Sequence, residues 1–386
     1  MHAGMQRGGH GGFAGELTRF AVAHANPRVT AIAARVAAPL RVVVRGRRGV
    51  GRATVARALD CAGPAANFSV ANFSVANFSV TGTEPGGAAD VVVYVTAEVV
   101  KPEDTDAIGA ARRVVAVLNK ADLVGSLAGD PDMRGGPVEA ARRRCAELSA
   151  VVGVPLEPMI APLAVAALGD LDGASWAALR TLATHAGGTA CLAGSHADFL
   201  TVPTPVPAGE RRRLLDTLDL FGVAIGIAAL RRGRTPAQVR MILRRLSGVD
   251  AVVRGVAASG AEVRYRRVMD AVADLEALAV PRTQAAESIG AFLRRDDTVL
   301  ARMAAAAELA EAAGLNPADC GPAPVPGPGP PDDDPGRHLA RAARWQAYLE
   351  GRPGGAGEVR RACGADIARG SLLLWSRACG IPGDGE

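Results

Sequence analysis

Residues 114–125 read VVAVLNKADLVG and decide the fold of the chain. The run 114–118 is continuously apolar, as in a buried parallel strand, and the four residues 119–122 (Asn-Lys-Ala-Asp) follow it directly. The carboxylate of Asp122 can accept two hydrogen bonds, from the ring N–H and the exocyclic amine of guanine. Adenine offers no such pair of donors, so a buried carboxylate facing it would stay unpaired at a cost of about 1–3 kcal/mol. The pattern therefore predicts a guanine-reading turn after a buried strand.

Asn119 and Lys120 complete the predicted base site. The amide of Asn119 can reach the purine N7, and the aliphatic stem of Lys120 can lie along the base and the ribose. A four-residue motif also occurs by chance, so this prediction depends on finding a phosphate loop upstream.

A stretch that matches a phosphate loop lies upstream. The stretch 41–45 (Arg-Val-Val-Val-Arg) is typical of a short buried strand, and the helical pattern 55–59 follows the loop GRRGVGRAT at 46–54. The template is G-x-x-x-x-G-K-[ST] between a strand and a helix, and Gly46 and Gly51 occupy its two glycine positions. Such a backbone curls around a phosphate, and its amides and the start of the next helix bind the anion. The predicted nucleotide-binding residues here are Gly46, Arg47, Arg48, Gly49, Val50, Gly51, Arg52, Ala53 and Thr54.

Two positions of the loop depart from the template. Arg52 replaces the expected Lys, which keeps the charge but changes its shape from a compact ammonium to a planar fork. Ala53 replaces the Ser or Thr that would bind Mg²⁺, and it has no side-chain oxygen. Thr54 is the alternative metal ligand, although it lies about 100° further around the helix. An arginine-rich turn with no ligand remains the alternative to a nucleotide site.

With the loop and the Asn-Lys-x-Asp turn in this order, residues 38–190 resemble the P-loop GTPases, in the translation-factor-like branch that includes Era-type and dynamin-like proteins. The resemblance implies an α/β fold with a mostly parallel sheet flanked by helices, followed by an α-helical region. It also implies binding of GTP or GDP, weak binding of Mg²⁺ because of Ala53, and a contact from the backbone N–H of Ala161 to the guanine oxygen. The implied reaction is attack of water on the γ-phosphate, with Arg52 as the charge-neutralising catalytic residue. Arg47 or Arg48 could add an arginine finger from the same chain.

The switch elements of that family are weak in this sequence. Residues 66–80 are three identical copies of Ala-Asn-Phe-Ser-Val, which we interpret as a recent duplication that could extend a strand or a loop. Either Thr81 or Thr83 could be the switch threonine, and residues 84–87 (Glu-Pro-Gly-Gly) are the nearest substitute for the D-x-x-G turn. These departures favour a second hypothesis, a pseudo-GTPase that no longer hydrolyses GTP and pairs with an intact partner GTPase.

Composition shifts predict the domain boundaries. The helical region, with its SGVDAV break at 247–252, resembles the region behind the GTPase domain of actinobacterial dynamin-like proteins, and the alternative is a plain helical bundle. The predicted parts are a partly disordered N-terminal segment (1–37), a GTPase-like domain (38–195), a helical domain (208–314), a Pro/Gly/Asp-rich linker (321–336) and C-terminal helices (337–380).

Composition excludes other classes of protein. The chain has 386 residues, 49% of them apolar, but its apolar runs are too short for a membrane span and its start lacks the apolar region of a signal peptide. The cysteines are scattered without the spacing of metal ligands, which argues against a zinc enzyme. The sequence has no G-x-S-x-G, which argues against a serine hydrolase. The glycines of the loop do not have the G-x-G-x-x-G spacing of a Rossmann dehydrogenase. We therefore expect a cytoplasmic protein that acts with a protein partner or as a homo- or hetero-oligomer.

The positive charge of the chain has two interpretations. The net charge is +5, and arginines cluster in the predicted helices after residue 208. Such clusters are either solvated helix faces or a peripheral contact with an anionic membrane at its inner face. Aromatic residues make up only 4% of the chain, which argues against a nucleic-acid partner.

Overall fold

The structure is a computed structural model that describes residues 9–66, 68–70, 89–124, 136–169, 171–190, 196–280, 283–315, 334–350 and 357–381. The chain divides into two compact units. The sheet unit is Pro39–Ala257, and the helical unit combines Met1–Ala38 with Ala258–Glu386.

The sheet unit contains a parallel sheet. Its strands are β1 (Leu40–Gly46), β2 (Phe68–Val70), β3 (Val91–Ala97), β4 (Val114–Asn119) and β5 (Leu156–Met159). They are ordered β2-β1-β3-β4-β5, and each adjacent pair is parallel. The predicted α/β class, with a parallel sheet flanked by helices and a helical region after it, is confirmed. In this order the chain changes direction across the sheet between β1 and β3, and doubly wound folds bind ligands at that point, beyond the carboxyl ends of the strands.

Helices account for most of the remaining described residues. In chain order they are α1 (Gly9–His24), α2 (Pro27–Ala37), α3 (Arg52–Ala66), α4 (Pro102–Ala110), α5 (Gly136–Val152), α6 (Ala161–Leu168), α7 (Gly173–Thr184), α8 (Gly187–Ala190), α9 (His196–Thr201), α10 (Ala208–Arg231), α11 (Pro236–Ser247), α12 (Val249–Ala279), α13 (Gln284–Arg294), α14 (Asp296–Ala312), α15 (Pro335–Glu350) and α16 (Glu358–Ala378), with a 3-10 turn at Ala121–Leu123. Sequence signals account for several ends: Thr235 and Gln238 form a capping box at α11, and Gly248 ends that helix in the left-handed conformation.

Helices α10 and α11 belong to the sheet unit. Their buried Leu218, Val223 and Leu243 share one hydrophobic core with Leu163 of α6 and Leu179 of α7. The boundary between the units lies between Ala257 and Ala258, and not at residue 208, where the sequence predicted a helical domain to begin.

The N-terminal residues fold with the C-terminal helices. Phe13, Leu17 and Phe20 follow the i, i+4, i+7 spacing of a helix and are buried, and they share a core with Phe292 and Trp345. Helix α1 begins at Gly9, within the segment 1–37 that the sequence predicted to be partly disordered, and residues 1–8 lie outside the described residues. The abundant glycines and histidines of this segment led to the prediction of disorder. The apolar side chains of α1 pack against helices near the C-terminal end of the sequence.

A buried ion pair lies inside the helical unit. Asp366 accepts hydrogen bonds from the Tyr265 hydroxyl at 2.8 Å and from the Arg302 guanidinium at 2.7 Å. Both partners lie on other helices of the unit, so the carboxylate links α12 and α14 to α16. In the described part of the chain, no helix combines the length and the apolar character needed to cross a membrane.

Candidate functional site

The predicted phosphate loop is a tight curl between β1 and α3. Gly46, Gly49 and Gly51 have φ angles of 141°, 84° and 86°, which are in the region that favours glycine. A Cβ on Gly46 would lie 2.2 Å from the Val95 carbonyl oxygen, and one on Gly51 would lie 2.4 Å from Asn119 Nδ2. Both template glycines are thus required by backbone conformation and by close contact.

Asn119 joins three segments of the site. Its Nδ2 donates to the carbonyl oxygen of Val50 at 2.9 Å, and its Oδ1 accepts from the N–H of Ala161 at 3.1 Å. All three residues are buried. The side chain therefore ties the phosphate loop after β1 to the turn after β4 and to the start of α6 after β5. An amide has two N–H groups, so the bond to Val50 leaves a second donor for a purine N7.

Ala161 has a different contact from the one that the resemblance implied. It is the first residue of α6, and its N–H donates to Asn119. A guanine oxygen would therefore have to share this N–H with the Asn119 side chain.

Lys120 turns the chain at the end of β4. Its φ and ψ angles are 58° and 39°, a left-handed conformation that is uncommon for a residue with a side chain. The carbonyl of Lys120 accepts the N–H of Leu123 at 3.0 Å, which closes the 3-10 turn that carries Asp122. Local strain of this kind is often found where a turn must present a side chain to a ligand.

Asp122 is a buried carboxylate, with 7% of its surface exposed. Burial raises its pKa above the ordinary value, and the nearby charge of Asp219 raises that pKa further. A hydrogen bond from its own backbone N–H, and then the charges of Lys120 and His196, lower that pKa in part. The protein therefore destabilises the charged form that could accept two hydrogen bonds, and a ligand with two donors would relieve this cost.

Changing Asp122 to Asn is expected to stabilise the nucleotide-free protein at neutral pH. Because the carboxyl pKa is raised in the folded state, the folded state loses stability as the pH rises from the unfolded-state pKa through the folded-state pKa, and only below the unfolded-state pKa are both states protonated, so that no cost remains. The melting temperature of the variant should therefore exceed that of the wild type at pH 7, and the difference should shrink as the pH is lowered. Equal melting temperatures at each pH would contradict the assigned burial, and the exposed Asp106→Asn is the control.

Arg47 connects the predicted phosphate loop to α4 and to the segment before that helix. Its Nε lies 3.0 Å from both carboxylate oxygens of Asp104, and its Nη2 donates to the Val99 carbonyl at 3.0 Å. Asp104 is fully buried and also accepts from the Tyr94 hydroxyl at 2.9 Å and the Lys101 N–H at 2.9 Å. A guanidinium held in this way does not fit the hypothesis that Arg47 is an arginine finger.

Arg48 and Arg52 differ from Arg47. Neither makes a hydrogen bond or an ion pair with another described residue. Arg48 is exposed on the loop, and Arg52 is half-buried as the first residue of α3. Ala53 and Thr54 follow Arg52 in the first turn of α3, Ala53 exposed and Thr54 half-buried.

The connection after α3 leaves no room for a switch segment before the next strand. Helix α3 ends at Ala66 and β2 begins at Phe68, so the first Ala-Asn-Phe-Ser-Val copy supplies the strand beside β1. Thr81, Thr83 and residues 84–87 come later in the chain and lie outside the described residues. A switch threonine therefore cannot lie between α3 and β2.

Asp219 and His196 are neighbours of the site that the sequence did not reveal. Asp219 kinks α10 with a φ of 57°, and its Oδ1 lies 2.7 Å from His196 Nε2. A local pattern could not have shown this, because Asp219 lies in a stretch with helical periodicity and approaches Asp122 only through the fold.

A cavity of about 540 Å³ adjoins the 3-10 turn at Ala121. Its lining includes Ala121, Cys145, Pro158 and Arg254, but none of residues 46–54. The cavity is therefore separate from the phosphate loop. Burial raises the pKa of Cys145 to about 12, which makes its thiol unreactive.

No protein-family model matches this chain, and a search of curated protein sequences finds no match. The GTPase resemblance remains a hypothesis that rests on the motifs. The structure itself supports the coarser statement that a parallel sheet with flanking helices forms a domain compatible with nucleotide binding.

Proposed function

We propose that the chain binds guanine nucleotides at the carboxyl ends of β1 and β4. The observation that carries this proposal is the position of Asn119, whose side chain bonds both the phosphate loop and the start of α6. A nucleotide has a phosphate end and a base end. The Asn119 side chain connects the loop that is suited to the phosphates with the turn after β4 that is suited to the base.

The arrangement of the sheet supports the same proposal. Strands β1 and β4 flank β3, so the loop after β1 and the turn after β4 lie at one edge of the sheet. That edge includes the point between β1 and β3 where doubly wound folds bind nucleotides. The buried Asp122 at the base end, and Arg48 and Arg52 at the phosphate end, which have no partner among the described residues, match the chemistry of the two ends of GTP or GDP.

Binding without efficient hydrolysis is the form of this function that we favour. If hydrolysis occurs, water attacks the γ-phosphate and Arg52 stabilises the developing charge. The direct connection from α3 to β2 excludes a switch segment between these two elements, and Thr81 and Thr83 follow β2 outside the described residues. Ala53, which lacks the metal-binding hydroxyl, and the absence of a D-x-x-G sequence between β2 and β3 favour a pseudo-GTPase module that responds to nucleotide and acts through a protein partner over a weak GTPase.

Titration calorimetry with GTP, GDP and ATP tests the proposal. We expect GTP and GDP to bind at least about tenfold more tightly than ATP, a difference of about 1.4 kcal/mol. Phosphate release should be followed on the same samples, because binding without turnover is expected from a pseudo-GTPase. Equal affinities for GTP and ATP, or no binding of either, would overturn the assignment of the base site.

A further inference from the structure

The phosphate loop does not fit a bound Mg²⁺, although the resembled family implies one. Mg²⁺ takes oxygen ligands in near-ideal octahedral geometry, and its protein ligand in a phosphate loop is the hydroxyl that follows the lysine. Ala53 stands at that position and has no oxygen. Thr54 is half-buried one residue later, about 100° around α3, so its hydroxyl cannot take the place of the missing one.

The carboxylate that contacts the loop is not available to a cation either. Asp104 is fully buried, and its oxygens accept hydrogen bonds from Arg47, from the Tyr94 hydroxyl and from the Lys101 N–H. Binding a metal there would break an ion pair inside the protein. The charged loop side chains that have no partner among the described residues are therefore positive.

Arg48 and Arg52 carry this positive charge. Both lack partners among the described residues, and Arg52 begins the 15-residue helix α3, whose N-terminus itself attracts anions. A guanidinium stays protonated at any physiological pH and can donate two parallel hydrogen bonds to a phosphate. Two guanidinium groups together carry the same formal charge as one Mg²⁺.

We propose that Arg48 and Arg52 replace Mg²⁺ at this site, so that the chain binds the phosphates of its nucleotide without a metal. This inference rests on the proposed function for the identity of the nucleotide, but not for the anion chemistry of the loop. It removes the requirement for Mg²⁺ that the resembled family implies.

Calorimetry of the full chain with GTP in excess EDTA and in millimolar Mg²⁺ tests this proposal. The two dissociation constants should agree within about threefold, a difference of less than 1 kcal/mol. Binding that requires Mg²⁺ would overturn the metal-free site and leave the guanine assignment intact.

Single arginine variants show which side chains act. Arg52→Gln and Arg48→Gln should each weaken GTP binding in EDTA by about tenfold, because each removes a charge-assisted contact to phosphate. Arg57→Gln is the matched control, since Arg57 is an exposed arginine of the same helix outside the loop, and its affinity should not change. Equal losses in all three variants would overturn the specific roles of Arg48 and Arg52.

Inorganic tripolyphosphate separates the failure of this inference from the failure of the guanine assignment. Tripolyphosphate that binds in EDTA and is lost in Arg52→Gln would support the arginine site even if GTP showed no preference over ATP. If neither tripolyphosphate nor GTP binds, both proposals are overturned. The Ala53→Ser variant provides the reverse test, because restoring the hydroxyl should strengthen GTP binding in Mg²⁺ but not in EDTA.

Discussion

Replacing Asp122 by Asn is expected to shift the preference of the site from guanine to xanthine nucleotides by at least about a hundredfold. Guanine presents two donors to the Asp122 carboxylate, its ring N–H and its exocyclic amine. Xanthine keeps the ring N–H but carries a carbonyl oxygen in place of the amine. The amide of Asn can accept from the first group and donate to the second, whereas with guanine its N–H group would face another donor.

Burial makes this effect large. With 7% of its surface exposed, Asp122 is largely shielded from the water that would otherwise replace a lost hydrogen bond. Calorimetric titration with GTP, XTP and ATP measures the switch, with the exposed Asp106→Asn as control for the loss of one carboxylate. A variant that keeps the wild-type preference for GTP would show that Asp122 does not read the base.

Replacing Asn119 by Ala is expected to destabilise the sheet unit by about 2–5 kcal/mol. The change leaves the Val50 carbonyl oxygen and the Ala161 N–H without the partner that each has now, in positions that are buried. Each orphaned buried group costs about 1–3 kcal/mol. The loop after β1 would also lose its link to the base-reading turn, so nucleotide affinity should fall in the same variant.

Denaturant unfolding and calorimetry together test the role of Asn119. Asn26→Ala is a useful comparison, because Asn26 caps α2 through hydrogen bonds to the Arg28 and Val29 N–H groups in the helical unit. That change should cost about 1 kcal/mol and leave nucleotide binding unaffected. An Asn119→Ala protein as stable as the wild type would contradict the bracing role.

Local patterns in the sequence predicted the elements that surround the candidate site. The runs 41–45 and 114–118 became β1 and β4, and the helical pattern at 55–59 lies within α3. These elements depend on side-chain periodicity and on caps and glycines a few residues away, which a sequence displays directly. The glycines of the loop belong to the same group, because their positive φ angles follow from the turn that they must form.

Other features of the chain were decided only by its tertiary structure. Asn119 and Val50 are 69 residues apart, Arg47 and Asp104 are 57 apart, and Tyr265 and Asp366 are 101 apart. The pairing of α1 with the C-terminal helices and the approach of Asp219 to Asp122 belong to this group. The sequence alone predicted which residues could read a base and bind phosphate. Only the fold decided which of their polar groups form hydrogen bonds within the protein. Such contacts join residues that are close in space but far apart in the sequence, so the spacing of residues along the chain does not predict them.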